Sequence, residues 1–267
     1  MNNDGEERGT VVQSVDRALV LLEILARDGW SGVTDLAAEL GTHKSTVFRL
    51  LATLERRGLV EQHLDTQKYR LGFTIVRLAG AVRSAPDLMR YARPACERLS
   101  ADVGETVNLA VLEGSEVVNI DQVNLSSAIV SVSWLGRRTP LHCTSNGKVF
   151  LAHMPEPIRE EFLAAPLAAV TGHTITDPEI LRPQLDAIRE RGYGYTLQEL
   201  ELGLHAVAAP VRASDGSVLA TICASGPSYR LRVEDIEAVG LRTRATADEV
   251  SRRLGFAGVA AAGARQR

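Results

Sequence analysis

The sequence predicts an α+β fold in two parts: an N-terminal winged helix-turn-helix and, after a linker helix, a larger domain with a mainly antiparallel sheet. Three observations predict it. Apolar residues recur at three- and four-residue spacing over 14–54, then change to the shorter period of strands. Beyond Pro86, strand-like and helix-like segments alternate. Hydrophobic residues make up 45% and charged residues 24% of 267 residues, which supplies a sizeable core and excludes a largely disordered chain.

The elements run in order along the chain. The first helix starts at Ser14, a candidate N-cap, carries Val15, Ala18, Leu19, Leu22 and Leu25 on one face, and ends at Asp28-Gly29. Thr34 opens a short second helix, closed by Gly41. Thr42 caps a third, with Val47, Leu50, Leu51 and Leu54 inward and Gly58 as its stop. Two short strands, 59–63 and 68–71, flank the turn Asp65-Thr66 and form the wing. Helical spacing returns over 73–83, with Phe73, Val76 and Leu78 left to meet a partner. The second part reads as a helix over 88–102, then strands over 106–112, 117–122 and 129–134. A short helix begins after Ser145, and further helices cover 157–163 and 178–191. Strands over 206–212 and 218–224 and a helix over 233–254 complete it. The boundaries are therefore a tail 1–10, a winged helix-turn-helix 11–72, a linker helix 73–86, a second domain 87–255 and a tail 256–267.

Composition narrows the function. Cys96, Cys143 and Cys223 are too few and too far apart for a disulfide framework and suit a reducing compartment. The opening MNNDGEERGT is polar and acidic, unlike a signal peptide. The apolar stretch 18–26 carries Glu23 and is far short of the roughly 20 residues that span a bilayer. The expectation is a cytoplasmic protein that does not touch membrane. His142-Cys143 with His153 lacks zinc-site spacing. Residues 145–148 are not a phosphate-binding loop, because His142 and Val149 stand where glycine and Ser or Thr are needed. No nucleophile elbow occurs. The sequence thus offers no catalytic residue, no metal ligand set and no cofactor.

The third helix presents His43, Lys44, Ser45, Thr46 and Arg49 at its N-terminal end, where free N–H groups suit phosphate. Residues 42–71 carry six cations against three acids, a net +3, whereas 1–41 carry three cations against eight acids, a net −5. Lys44, Ser45, Thr46 and Arg49 are the expected contacts to the major groove of double-stranded DNA. His43 is expected beside the backbone, and wing residues Lys68 and Arg70 on phosphates. A trihelical protein-interaction domain with a solvated basic face is the competing reading.

The segments 14–22 (SVDRALVLL), 36–37 (LA), 44–54 (KSTVFRLLATL) and 58–60 (GLV) resemble the IclR family of bacterial transcription regulators. In the second half, 140–148 (PLHCTSNGK), Gly192-Tyr193 with Glu199, Gly203 and 208–211 (AAPV), and 225–227 (SGP) resemble it in the same order. The resemblance spans about residues 12–255. It implies a GAF-like effector domain, homodimers or tetramers, and ligand-responsive control of a metabolic operon, with repression by a sensor of a small organic acid as the expectation. An enzyme on an α+β scaffold with an accessory helical domain is the alternative, and it lacks any nucleophile–base pair.

The helix starting at Ser145, Asn146 and Gly147 offers N–H groups and a dipole to a carboxylate. Residue chemistry alone favours an ordinary capping turn with Ser145 or Thr144 as cap. The resemblance implies the binding role and adds Thr196, Ala206, Cys223 and Ser225 as effector-pocket positions. Relatives that take small oxo-acids carry an acid, a cysteine and two serines there. This chain keeps only the last serine, so a larger or more apolar ligand is expected. Cys223 sits in an apolar strand and reads as packing. Asp121, Trp134, Arg137 and Arg138 are either cavity-edge or surface residues.

Overall fold

The computed structural model describes residues 12–80, 85–124 and 134–258. The chain forms two compact units that divide between Pro86 and Asp87.

In the first unit the spaced apolar faces meet in one core. Leu21, Ile24 and Leu25 come from α1 (Gln13–Asp28), Leu36 and Ala37 from α2 (Val33–Glu39), and Val47, Leu51 and Leu54 from α3 (Lys44–Arg56). The hairpin β1 (Val60–Gln62) and β2 (Tyr69–Leu71) pairs antiparallel with Val60 opposite Leu71, and Val60 and Tyr69 close the same core. Ser31 adds an unforeseen rung, exchanging two backbone hydrogen bonds of 2.9 Å with Tyr69. Gly41, at φ +61°, makes the tight turn between α2 and α3. A residue with a Cβ would be strained there by about 1–2 kcal/mol.

The helix starts differ from the expectation. Val12, not Ser14, precedes α1, its carbonyl accepting from Val15 and Asp16 N–H at 2.9 and 3.0 Å. Ser14 already lies in the first turn. Gly32, not Thr34, precedes α2. His43, not Thr42, precedes α3; Thr42 N–H is bonded to Ala37 O at 3.1 Å within the turn. None of these three starts has a side-chain cap. The expected linker helix over 73–86 is described as α4 (Thr74–Gly80); residues 81–84 lie outside the described residues, and Ala85 and Pro86 begin the next helix.

The second unit is a helix–sheet–helix sandwich. Among the described residues six strands run in the order β5-β4-β3-β8-β7-β6. They are β3 (Thr106–Glu113), β4 (Glu116–Val123), β5 (Arg138–Pro140), β6 (Gly194–Leu197), β7 (Leu204–Arg212) and β8 (Val218–Pro227), and every neighbouring pair is antiparallel. α5 (Ala85–Val103) and α9 (Ile236–Arg253) cover one face, where Val107, Leu109, Val207, Ala209, Ile222 and Ala224 meet Leu99 and Val250. α6 (Ser145–His153), α7 (Glu156–Ala164) and α8 (Pro178–Arg191) cover the other, where Ala110, Ala206, Ala208 and Cys223 meet Val149, Leu163 and Leu185. The central strands are therefore apolar on both sides, as two covered faces require.

β5 and β6 have three and four residues and were not foreseen. Residues 129–133 of the expected strand lie outside the described residues, and Trp134 is not in a strand. The expected last helix begins as a 3-10 turn (Val233–Asp235), whose Asp235 carboxylate accepts from Arg232 N–H at 3.3 Å before α9 starts.

Strand β4 is irregular at one point. Leu109 pairs with Asp121 but Ala110 pairs with Asn119, so Ile120 is an extra residue in β4. This bulge sends Asn119 and Asp121 to opposite faces although they are two positions apart. Asp121 reaches the α5 side, with Arg93 Nη1 at 2.6 Å.

Candidate nucleic-acid interface and ligand cavity

On the first unit, the inward residues of α3 leave His43, Lys44, Ser45 and Arg49 exposed together, with Thr46 half-buried beside them. Neither Lys44 nor Arg49 is ion-paired among the described residues, and no side chain caps the helix; Thr46 N–H is bonded to His43 O at 2.9 Å, which leaves the Lys44 and Ser45 N–H groups for a ligand. Phe48, 56% exposed, shares this surface and was not anticipated. Its position four residues after Lys44 is the signal that places it there.

The wing residues separate. Lys68 is exposed and unpaired among the described residues. Arg70 is not the free cation the sequence suggested: it is paired with Glu61 across the hairpin and lies 4.6 Å from the Trp30 ring centre. His63 meets the same ring edge-on at 5.3 Å. The wing tip is shaped by His63 Nδ1, which accepts from Asp65 and Thr66 N–H at 3.2 and 3.4 Å.

On the second unit, a cavity of about 450 Å³, mouth included, lies between the sheet and the N-terminus of α6. Ser145 and Asn146 form its helical wall. Thr196 of β6, Ala206 of β7, and Cys223 and Ser225 of β8 line it from the sheet. Asn108 of β3 and Asn119 of β4 stand beside them, with Trp134, Leu200 and Leu204 at its apolar edges and Thr139 and Thr144 completing it. Among the described residues, no Lys, Arg, His, Asp or Glu lines it.

Thr144 is the cap of α6. Its hydroxyl accepts from Gly147 N–H at 3.1 Å and donates to Pro140 O at 2.8 Å. This corrects the expectation for Gly147, whose N–H is already occupied and which does not line the cavity. The glycine serves instead as a point of close approach: a Cβ there would lie 2.2 Å from Leu141 O. Ser145 and Asn146 keep first-turn N–H groups toward the cavity.

Cys223 lies 3.3 Å from Ser145 Oγ through its sulfur. Burial pushes its pKa up to about 11, so it is a protonated thiol at neutral pH and no nucleophile. Of the cavity-edge residues, Trp134 lines the space, whereas Asp121 faces away. Arg137 stacks 5.3 Å over Trp134, and Arg138 pairs with Glu113 at 2.6 Å.

Two features escaped sequence reasoning. Asn108 and Asn119 make the wall more polar than anticipated; a polar residue on the inward parity of β3 was the available signal for Asn108. The second is Lys148, fully buried, with Nζ 2.6 Å from Glu199 Oε1 and 2.9 Å from Gln184 Oε1. Burial pulls the Lys148 pKa below its usual value, with Glu199 opposing. The pair ties α6 to the β6–β7 connection, which supplies Leu200 to the cavity. Thr171 Oγ1 and Thr174 Oγ1 hold that connection further, donating at 2.7 Å to Gln198 O and Glu199 O. Among the described residues no His, Cys, Asp or Glu cluster could hold a metal ion.

Comparison with known proteins matches both halves. Residues 14–64 match the family described as the IclR helix-turn-helix domain, and residues 80–252 match bacterial transcriptional regulator IclR C-terminal. The transcriptional regulator KdgR of Dickeya chrysanthemi is 32% identical over 254 residues, covering 95% of this chain and 83% of that protein. The transcriptional repressor AllR of Escherichia coli strain K12 is 33% identical over 246 residues, covering 91% of each. Among solved structures, an IclR homologue from Microbacterium hydrocarbonoxydans complexed with 4-hydroxybenzoate has a TM-score of 0.76 at 30% identity, covering 90% of this chain and 98% of that one.

Proposed function

The chain belongs to the IclR family of bacterial transcriptional regulators, and from that premise we propose that it is a repressor whose grip on operator DNA is set by a small organic acid in the cavity of its second unit. The carrying observation is the pairing of features in one chain. An uncapped, cationic α3 is exposed on one unit, and the other encloses a cavity that ends on free N–H groups of α6.

In this reading residues 11–72 bind DNA, 73–86 link, 87–255 sense, and 1–10 and 256–267 are tails. Lys44, Ser45, Thr46 and Arg49 read base edges in the major groove, His43 and the wing cations Lys68 and Arg70 touch the backbone, and Phe48 packs on a thymine methyl. The acid's carboxylate meets Ser145 and Asn146 N–H. Ser225 bonds it from β8, and Thr196, Ala206 and Cys223 shape the remainder. One winged helix reads too few base pairs for a unique site, so a symmetric dimer, alone or doubled into a tetramer, binds a pseudo-palindrome. Val15 and Leu19 of α1 and Val76 and Leu78 of α4, all more than half exposed, are available to such contacts. The protein acts in the cytoplasm, where its operator is. No helix among the described residues is long and apolar enough to cross a membrane.

The test is a gel shift on DNA upstream of the protein's own gene, with and without candidate acids. An effective acid changes operator affinity by about 5–150-fold, corresponding to a coupling of roughly 1–3 kcal/mol. Arg49→Ala weakens specific binding several-fold without altering the melting curve. Operator affinity that no acid moves, or that Arg49→Ala leaves unchanged, refutes the reading.

A further inference from the structure

Three residues that line the cavity each carry a buried side-chain oxygen with no hydrogen-bond partner among the described residues: Asn108 Oδ1, Asn119 Oδ1 and Asn146 Oδ1. Their residues are 3%, 5% and 7% exposed. Buried acceptors left without donors are costly, and three gathered around one cavity call for donors that the described residues do not supply. The Asn108 amide is oriented by its own Nδ2, which donates to Ser225 Oγ at 3.4 Å and leaves the oxygen as the open group. The three asparagines come from β3, β4 and α6, so they surround the space instead of lining one edge.

We infer that the effector is an aliphatic monocarboxylic acid bearing several hydroxyl groups. This rests on the cavity being the effector site, as proposed above. The chemistry selects hydroxyls in three ways. A carboxamide presents an acceptor and donors side by side, and a hydroxyl answers both, whichever way the amide is turned. Ammonium donors would need an acid to balance them, and the described lining residues include neither Asp nor Glu. A second carboxylate would need a cation, and the described lining residues include neither Lys nor Arg. The one negative charge the cavity accommodates therefore lies against the α6 N–H groups, and the rest of the ligand carries neutral donors. A short oxo-acid brings no donor for these oxygens. A monohydroxylated aromatic acid brings one and lays an apolar ring on the others. The bulge at Ile120 supports the assignment: it turns Asn119 into the cavity while Asp121 goes to Arg93, which keeps a neutral amide and not a carboxylate on the ligand side.

The experiment is calorimetry on the full chain with four- to six-carbon aldonates, here threonate, arabinonate, gluconate and galactonate. The matched probes are butanoate, pentanoate and hexanoate, together with 4-hydroxybenzoate. The best aldonate should bind at least about 100-fold tighter than the unhydroxylated acid of its chain length, at about tenfold for each well-placed hydroxyl. Removing single hydroxyls from that aldonate should weaken it stepwise, which needs no variant and so does not depend on one folding. Asn119→Ala and Asn108→Ala, checked by circular dichroism, should each weaken the aldonate about tenfold more than the unhydroxylated acid of its chain length. Equal or tighter binding of an unhydroxylated acid or of 4-hydroxybenzoate overturns the hydroxyl assignment while the acid site stands. If none of these carboxylates binds, the effector-site reading falls, and this inference with it.

Discussion

Replacing Lys148 by methionine isolates a charge that the fold has sealed in. The ammonium is fully buried, and Glu199 beside it is 6% exposed, with one carboxylate oxygen, Oε2, already lacking a partner. Lys148→Met keeps most of the side-chain volume but removes the hydrogen bonds to Glu199 Oε1 and Gln184 Oε1, at 2.6 and 2.9 Å. It strands a carboxylate next to Leu200. Breaking a buried pair from one side costs about 3–5 kcal/mol. Removing both charges is different. Because burial lowers the Lys148 pKa despite Glu199, the attraction does not offset the ammonium's own desolvation. The double variant Lys148→Met/Glu199→Leu should then fall within about 1 kcal/mol of wild type or exceed it. Urea unfolding of the full chain, followed by circular dichroism and by Trp134 emission in a Trp30→Phe background, resolves the second unit's transition. A single variant costing less than about 1 kcal/mol, or a double variant no better than the single, would falsify this account of the pair.

Other expectations rest on single contacts. Gly147→Ala places a Cβ 2.2 Å from Leu141 O and 2.3 Å from Leu141 Cα, both backbone atoms that cannot swing aside. A loss of at least about 3 kcal/mol in a thermal melt, together with loss of ligand binding, is expected; an unchanged melt refutes it. Burial raises the Cys143 and Cys223 thiols to about 11 and Cys96 to about 12. The unfolded thiol titrates near about 8.5, so the folded chain holds protons that the unfolded chain has lost. This contribution is complete below pH of about 8.5 and drains away as pH rises toward the folded values. A Cys96→Ala/Cys143→Ala/Cys223→Ala variant should lose part of the alkaline slope, and the native thiols should react slowly with a disulfide reagent at mildly alkaline pH. Lys68→Ala should reduce the salt dependence of operator binding by about one unit of log–log slope, and Arg70→Ala by less, because Glu61 already neutralises it; equal effects would contradict the wing geometry.

The helical parts were legible because their signals are local. α8 runs over the expected 178–191 since Asp177 caps it, Pro178 begins it and Gly192 ends it at φ +80°. Ser14 and Thr42 misled as caps because a carbonyl turn at Val12 and His43 starts those helices without a side chain. β5 and β6 are too short to display a two-residue period. The cavity was legible at Thr196, Ala206, Cys223 and Ser225 only through family resemblance. Asn119 was not, because the extra Ile120 makes residues of one parity point to opposite faces. Lys148 and Glu199 lie 51 positions apart, and each alone reads as a solvated charge. The wall is more polar than anticipated because of Asn108, whose signal was a polar residue on the inward parity of β3, and Asn119, which the bulge hides.

The bulge in β4 also has a genetic consequence. A strand that already accommodates one surplus residue can lose it at position 120 and keep Asn119 on one face and Asp121 on the other. A one-codon deletion elsewhere within 116–123 that is absorbed by the bulge inverts the side chains between the deleted position and Ile120, exchanging cavity wall for helix-facing core. Descendants of this gene could therefore acquire a new ligand preference by a single length change in β4, with no substitution in the cavity itself, provided the α5 side tolerates the residues it receives.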